Sequence, residues 1–187
     1  MKGNVMNYLL ENYHVSDYQF QDLDYTDYKT IHELIKYKFF KLCGCCHAST
    51  YNFCWDVLNN VSDIENTITN DSWSATEFLV CYLNEIKLLE HGSGVRGSWL
   101  SDYGKDVLEN GSNEIVKNKF CQQILIYLKD SDGCTFDTIS EWMEEDIENV
   151  TNLLIDIFNR LGLLEGLELT NDGTYIVEQG HMEESED

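Results

Sequence analysis

The amino-acid sequence predicts a mainly helical α+β protein built from two copies of one small folding unit. Three observations predict this fold class. Apolar residues recur at the spacing of amphipathic helices, a stretch of sequence returns 75 residues further on, and Gly, Asn and Asp cluster where hairpins would turn. A length of 187 residues suits one large or two small domains, and a hydrophobic content of 43% supports folded cores.

The repeat consists of two matching segments on either side of a variable middle. Residues 83–90 return as 158–165, and residues 100–111 return as 169–180. The second offset is 69 residues, so the connecting stretch is six residues shorter in the second copy. Similar flanks around a variable middle are typical of one unit carrying hairpins of different length. Chance convergence of short apolar patterns is the alternative.

Helices are predicted before each hairpin from the apolar spacing. They cover residues 30–43, 51–60 and 74–88 in the first copy, and residues 119–129, 136–143 and a long segment around 150–161 in the second. After each hairpin a Leu-Ser/Thr-x-x-Gly motif begins the next segment, which makes Ser101 and Thr170 the predicted helix caps.

This order of elements resembles the winged-helix family, in which a Leu-rich turn ends the last core helix, a β-hairpin wing follows and a Leu-Thr-x-x-Gly strand end returns to the core. The resemblance implies two tandem winged-helix-like units, residues 30–111 and 112–180, each with about three helices and a small wing. The stretches Leu-Leu-Glu-His-Gly-Ser and Gly-Ser-Trp-Leu-Ser of the first copy also look like small uncharacterised phage and prophage proteins.

The remaining segments differ in composition from the two units. Residues 1–29 are rich in Tyr, Asp, Asn and Gln, and we expect them to form an N-terminal arm or an extra helix. Residues 181–187 are predicted to be a disordered acidic tail.

Acidic residues dominate the charge. The formal net charge is −22, and residues 130–187 contain 17 acidic residues against Arg160 alone. A polyanion repels nucleic acid and anionic membranes and attracts basic partners. A surface that serves only solubility is the alternative.

In a DNA-binding winged helix the third helix enters the major groove, and basic side chains neutralise phosphates. The corresponding region here is acidic, so we expect no ordinary DNA binding by the second copy. We predict instead an acidic protein-interaction module that imitates DNA and inhibits a basic or nucleic-acid-binding host protein, as phage anti-defence proteins do. The predicted partner-binding residues are Glu141, Glu144, Glu145, Asp146, Glu148 and Asp156.

Two other functions stay open. A DNA-binding transcriptional regulator, working as a homodimer through the first copy, would use Lys36, Lys38, Lys41 and Arg96, although these lysines also fit a solvated helix edge.

A metal or thiol sensor would use Cys43, Cys45, Cys46, His47 and Cys54. Zinc sites usually need two ligand pairs, and no second Cys-x-x-Cys pair is present, so small packed thiols are the simpler interpretation and no cofactor is expected.

Enzymatic and nucleotide-binding motifs are not recognisable. Residues 92–97 match Gly-x-Gly-x-x-Gly, but they follow a predicted helix rather than a strand, which favours a flexible wing. The five His residues lie in no recognisable nucleophile motif, so we expect that the protein is not an enzyme.

Without a signal peptide or a long apolar run, and with seven scattered cysteines, the chain is expected in the cytoplasm of a bacterial host.

Overall fold

The computed structural model describes residues 48–111, 113–131 and 136–183. These residues form a mainly helical structure with two small antiparallel hairpins, which confirms the predicted mainly helical α+β class. The arm predicted over residues 1–29 and the helix predicted over 30–43 lie outside the described residues.

In the described residues of the first copy, three helices precede the hairpin. They are α1 (Ala48–Asn59), α2 (Ile64–Asn70), which follows a 3-10 turn, and α3 (Ser72–Glu85). A hairpin of β1 (Leu89–His91) and β2 (Ser98–Leu100) follows, with Leu89 opposite Leu100, and α4 (Asp102–Asn110) ends the copy. The sequence did not predict α2 because its seven residues bury only Ile64 and Ile68, which is too short a pattern to identify a helix.

The second copy repeats this order with a shorter hairpin. Its helices are α5 (Lys119–Asp130), α6 (Phe136–Glu145) and α7 (Ile147–Arg160). The hairpin consists of β3 (Leu164–Glu165) and β4 (Glu168–Leu169), with Leu164 opposite Leu169, and α8 (Asn171–Glu183) follows. The last helix therefore extends three residues into the segment predicted as a tail, whose residues 184–187 lie outside the described part.

Ser101 connects the end of the first hairpin to the turn after α3 through hydrogen bonds. Its hydroxyl donates to the carbonyl of Lys87 at 2.6 Å and accepts from the amide of Gly104 at 2.8 Å. A Cβ atom on Gly104 would collide with the carbonyl oxygen of Leu88. The first turn of α4 therefore requires glycine, and the predicted Ser101 cap is confirmed.

Thr170 makes the same contacts in the second copy. Its hydroxyl donates to the carbonyl of Gly162 at 2.7 Å and accepts from the amide of Gly173 at 3.1 Å, which confirms the second predicted cap. A Cβ atom on Gly173 would collide with the carbonyl oxygen of Leu163. One local structure is thus built twice by residues at matching places in the sequence repeat.

The two copies pack against each other reciprocally. Helix α3 contacts α6 while its counterpart α7 contacts α2, and α4 contacts α5 while its counterpart α8 contacts α1. This is the contact pattern of a two-fold symmetric dimer, here within one chain. The rings of Phe78 and Phe158 stack between the copies with centroids 5.2 Å apart. The described residues all belong to one compact unit, Phe40–Asp187.

The third helices of the copies differ in environment. In α3, all eleven residues from Ser74 to Asn84 are buried, whereas α7 buries only one face. The buried stretch includes a carboxylate, that of Glu77, which accepts a hydrogen bond from Thr50 Oγ1 at 2.8 Å. A buried charged group needs such a partner. Helix α3 is therefore the central helix of the fold.

Replacing either glycine at the two capped turns tests the repeated local structure. We expect Gly104→Ala and Gly173→Ala each to lower the free energy of unfolding by about 1–3 kcal/mol, since the new methyl group overlaps a backbone carbonyl. Urea denaturation measures this. Gly97→Ala is the control, because no atom lies within 4 Å of a Cβ there. Equal stability of all three variants would contradict the described packing.

Candidate functional site

An acidic surface lies along α6 and the start of α7. Glu141, Glu144 and Glu145 have the three- and four-residue spacing that places side chains on one side of a helix. All three are exposed, as is Glu148 in the first turn of α7, while Asp146 between the helices is half-buried. We call these five residues the acidic face.

The apolar pattern of the two helices explains why these side chains point outward. Helix α6 buries Phe136, Ile139 and Met143, which leaves Glu141 and Glu145 on the opposite side and Glu144 on the flank. Helix α7 buries its own stripe: Val150, Leu153, Leu154, Ile157 and Phe158. Core packing thus determines the orientation of the face.

Hydrogen bonds between the copies fix α6 further. Ser140 Oγ donates to Ser72 Oγ at 2.6 Å, and Ser72 Oγ donates to Glu144 Oε1 at 2.8 Å. Ser72 is the first residue of α3, and a carboxylate is stabilised near a helix N-terminus. Thr76 Oγ1 also lies 3.4 Å from Met143 Sδ. Helix α6, which carries three residues of the acidic face, is therefore held against the central helix. Sequence reasoning missed Ser72 and Ser140, since nothing in the sequence indicates that these two hydroxyl groups meet.

Asp156, the sixth residue predicted for this surface, has a partner. Its Oδ2 lies 2.8 Å from Arg160 Nε, and this hydrogen bond raises the pKa of the Arg160 guanidinium. The pairing compensates the charge of Asp156. We therefore restrict the candidate site to the five residues of the acidic face.

The carboxylates of the acidic face have no basic partner among the described residues. Asp146 accepts from Asn149 Nδ2 at 2.9 and 3.1 Å, which is a neutral contact. The ion pairs within the described segments are elsewhere: Lys105–Asp102, Lys117–Glu114, Lys129–Glu109 and Arg160–Asp156. The face is consequently a concentration of uncompensated negative charge.

The number of charges per length of helix axis on α6 is close to that of one DNA strand. Glu141 and Glu145 are four residues apart, or about 6 Å along the helix axis. Three carboxylates occupy that length. One strand of B-DNA carries a phosphate about every 3.4 Å of axis, or two to three phosphates over the same distance. A basic groove that binds DNA would meet a similar linear charge density here.

The first copy does not share this face. The residues 75 positions earlier are Asn66, Thr69, Asn70, Asp71 and Trp73. Only Asp71 is acidic, and its carboxylate accepts from the backbone amide of Ser74 at 3.1 Å as a helix cap. The two copies thus present different electrostatic surfaces on the same backbone plan.

Arg96 is the one residue of the predicted DNA-binding set that lies among the described residues. It is exposed on the first hairpin, and its guanidinium lies over the rings of Trp73 at 5.2 Å and Phe136 at 5.9 Å. This cation–π contact joins the hairpin to the starts of α3 and α6. Lys36, Lys38 and Lys41 lie outside the described residues.

The predicted metal-binding residues are only partly described. Cys54 is fully buried in α1, whereas Cys43, Cys45, Cys46 and His47 lie outside the described residues. Within residues 48–111, 113–131 and 136–183, no group of three or more His, Cys, Asp or Glu side chains is arranged to hold a metal ion. Cys54, Cys81 and Cys121 are buried thiols, and burial raises the pKa of Cys121 to about 12.

The raised pKa predicts that Cys121 is chemically inert in the folded protein. The thiolate is the reactive form, and with a pKa near 12 it is almost absent at pH 8. We expect iodoacetamide to leave Cys121 unmodified in native protein and to modify it fully in urea, as measured by peptide mass spectrometry. Rapid labelling of native Cys121 would instead support a thiol-based sensor.

No helix in the described part of the chain is both long and apolar enough to cross a bilayer.

The chain matches no family model, no curated protein and no solved structure. The acidic face is therefore interpreted from its own geometry and charge.

Proposed function

We propose that this protein is an acidic interaction module that occupies the nucleic-acid-binding surface of a basic host protein, and that it serves a phage or mobile element as an inhibitor of host defence. The observation that carries the proposal is the acidic face: five carboxylates without a basic partner among the described residues, presented by two packed helices. We further propose that the two copies are winged-helix units and that α3 and α7 are their third helices.

If α3 and α7 are the third helices of winged-helix units, neither of them is suited to enter a groove of DNA. Helix α3 buries Ser74 to Asn84, so it offers no free face for base edges. Helix α7 begins beside Asp146 and Glu148, next to the carboxylates of α6. Negative charge at these positions repels phosphate, because each additional close pair of like charges is unfavourable. The same charge attracts the Lys and Arg side chains of a nucleic-acid-binding protein.

The packing of α6, which carries three residues of the acidic face, supports the proposal. Binding costs conformational entropy when surface groups must be ordered, and a preformed surface reduces that cost. Burial of Phe136, Ile139 and Met143 fixes α6, and the hydrogen bond from Ser72 positions Glu144. The charges are thus held on one surface before the partner arrives.

Two features of such a complex follow from its electrostatic origin. Charge complementarity accelerates association and gives specificity, and salt weakens it because the screening length is only about 8 Å at physiological ionic strength. The complex should therefore form at low salt and dissociate at high salt. Duplex DNA should compete for the same partner surface. We place this activity in the cytoplasm of a bacterial host, where buried thiols such as those of Cys54 and Cys121 stay reduced.

Charge reversal on the acidic face tests the proposal. Immobilised wild-type protein should retain nucleic-acid-binding proteins from a bacterial extract at low salt and release them at high salt or on addition of duplex DNA. We expect the triple variant Glu141→Lys, Glu145→Lys and Glu148→Lys to bind the captured protein at least tenfold more weakly. The measurement is a titration with the purified partner.

The matched control carries the same change in net charge at other exposed positions: Glu165→Lys, Glu168→Lys and Glu178→Lys. It should bind like the wild-type protein. If the acidic-face variant also binds like wild type, or if both variants lose binding equally, the acidic face is not the partner-binding surface.

A DNA-binding regulator acting through the first copy is the second candidate. The exposed position of Arg96 on the first hairpin, where a wing would contact DNA, favours it. This function requires a DNA mobility shift near physiological salt that Arg96→Ala abolishes. The stacking of Arg96 on Trp73 and Phe136 gives that side chain a structural role instead, which is why we favour the acidic interaction module.

A further inference from the structure

Helix α6 makes an aromatic pair with each of two neighbouring helices. At its start, the ring of Phe136 lies 5.4 Å from that of Trp73 on α3, measured between centroids. Further along, the ring of Trp142 meets that of Tyr127 on α5 edge to face, with centroids 5.1 Å apart and an interplanar angle of 82°. The two pairs differ in what lies over them.

An arginine of the chain itself covers the first pair. The guanidinium carbon of Arg96 lies 5.2 Å from the centroid of the Trp73 ring and 5.9 Å from that of Phe136. A guanidinium is attracted to an aromatic face by the cation–π interaction, and arginine makes this contact more often than lysine does. The first pair therefore shows how an arginine side chain packs on the aromatic rings beside α6.

The second pair has an indole that no cation covers. Among the described residues, Trp142 contacts the ring of Tyr127, but no Lys or Arg side chain lies over it and its Nε1 donates no hydrogen bond. Trp142 is half-buried, so part of its ring reaches the surface. Tryptophan is enriched among the residues that contribute most to the affinity of protein interfaces. This indole is thus available to a partner.

Two carboxylates of the acidic face stand beside this indole. Glu145 follows Trp142 by three residues, so the two side chains are neighbours on the helix surface, and Glu141 precedes it directly. Both carboxylates are exposed, and neither makes a hydrogen bond or an ion pair with a described residue. A guanidinium can stack on an aromatic ring and donate two parallel N–H groups to a carboxylate. An open indole beside an unpaired carboxylate provides both contacts.

The indole also distinguishes this surface from one that imitates only the charge of DNA. The phosphate backbone has no aromatic group, so carboxylates alone would reproduce its charge. Lysine and arginine both pair with carboxylates, but the planar, weakly hydrated guanidinium of arginine gains more from an aromatic ring than a compact ammonium group does. Trp142 therefore favours one kind of basic side chain over the other.

We propose that Trp142 and Glu145 bind an arginine side chain of the partner protein. Its guanidinium stacks on the indole of Trp142 and pairs with the Glu145 carboxylate, while Glu141 adds to the local negative charge. This inference rests on the proposed function, because it names the residue type through which the partner contacts the acidic face.

Two peptides of equal charge, octa-arginine and octa-lysine, test this proposal on the full chain. At physiological salt the wild-type protein should bind octa-arginine about tenfold more tightly than octa-lysine, as measured by titration of labelled peptide. Trp142→Leu should bind both peptides with the affinity that the wild type has for octa-lysine. Equal affinity of the wild type for the two peptides would overturn the proposal, as would an arginine preference that Trp142→Leu retains in full.

Two further variants separate the loss of this site from a general effect of removing a tryptophan. Trp99→Leu is the matched control, since Trp99 is 46% exposed on β2 and lies outside the acidic face. It should keep the whole arginine preference. Trp142→Phe retains an aromatic ring, so it should keep part of the preference and the fold, the latter measured by circular dichroism. Loss of the preference in Trp99→Leu, or its complete loss in folded Trp142→Phe, would contradict the site.

The charge-reversed acidic-face variant distinguishes failure of this inference from failure of the proposed function. That variant should bind both peptides more weakly. If the wild type binds both equally and the variant binds neither, the acidic face remains a surface for basic partners and the arginine site is wrong. If the Trp142-dependent preference is found but duplex DNA does not displace the host protein, the arginine site is supported and the proposed imitation of DNA is wrong.

Discussion

Reciprocal packing between the two copies is the constraint on which the rest of the structure depends. Helix α3 is buried along eleven consecutive residues, and a single three-helix unit could not cover it so completely. The cover comes in part from α6 of the other copy, while α7 in turn packs on α2. Stacking of Phe78 on Phe158 joins the two sets of helices at their apolar faces. Each copy therefore completes the core of the other.

This arrangement also positions the surface to which we assign function. Helix α6 lies against α3, so Glu141 and Glu145 on its opposite side face solvent, while Glu144 is exposed on the flank beside α3. The hydrogen bond from Ser72 to Glu144 forms only because the two copies are packed together. In the first copy, the longer hairpin leaves a cleft beside Asn84. Duplication of one backbone plan has thus produced two different surfaces, an acidic face in the second copy and a cleft lined by residues of both charges in the first.

Much of the local structure is predictable from the sequence because it depends on short-range patterns. Helix spacing identifies α1, α5 and α7, and the Leu-Ser/Thr-x-x-Gly motif identifies the caps at Ser101 and Thr170. The Asp156–Arg160 pair has the four-residue spacing of a helical ion pair, so it too was accessible from the sequence. The acidic character of the candidate site also follows from the sequence alone.

Features that depend on contacts between distant residues were not accessible in this way. A glutamate such as Glu77 is expected at the surface. In the structure it is buried in the central helix and accepts a hydrogen bond from Thr50. Helix α2 is short and has too few apolar residues to show a helical spacing in the sequence, although its Ile68 is fully buried. Asn84 Oδ1 accepts no hydrogen bond, whereas Oδ1 of Asn159, its counterpart in the repeat, accepts one from Gly166, and the sequence does not reveal this difference.

Native-state hydrogen exchange tests the central claim, that two copies form one cooperative body, most directly. The slowest amides of α3 and α7 should exchange with the same free energy and the same denaturant dependence, because unfolding of either copy removes the core of the other. Amides of α7 that remain protected after those of α3 have exchanged would show that the second copy is stable alone. That result would contradict reciprocal packing as the origin of the fold and of the fixed acidic face.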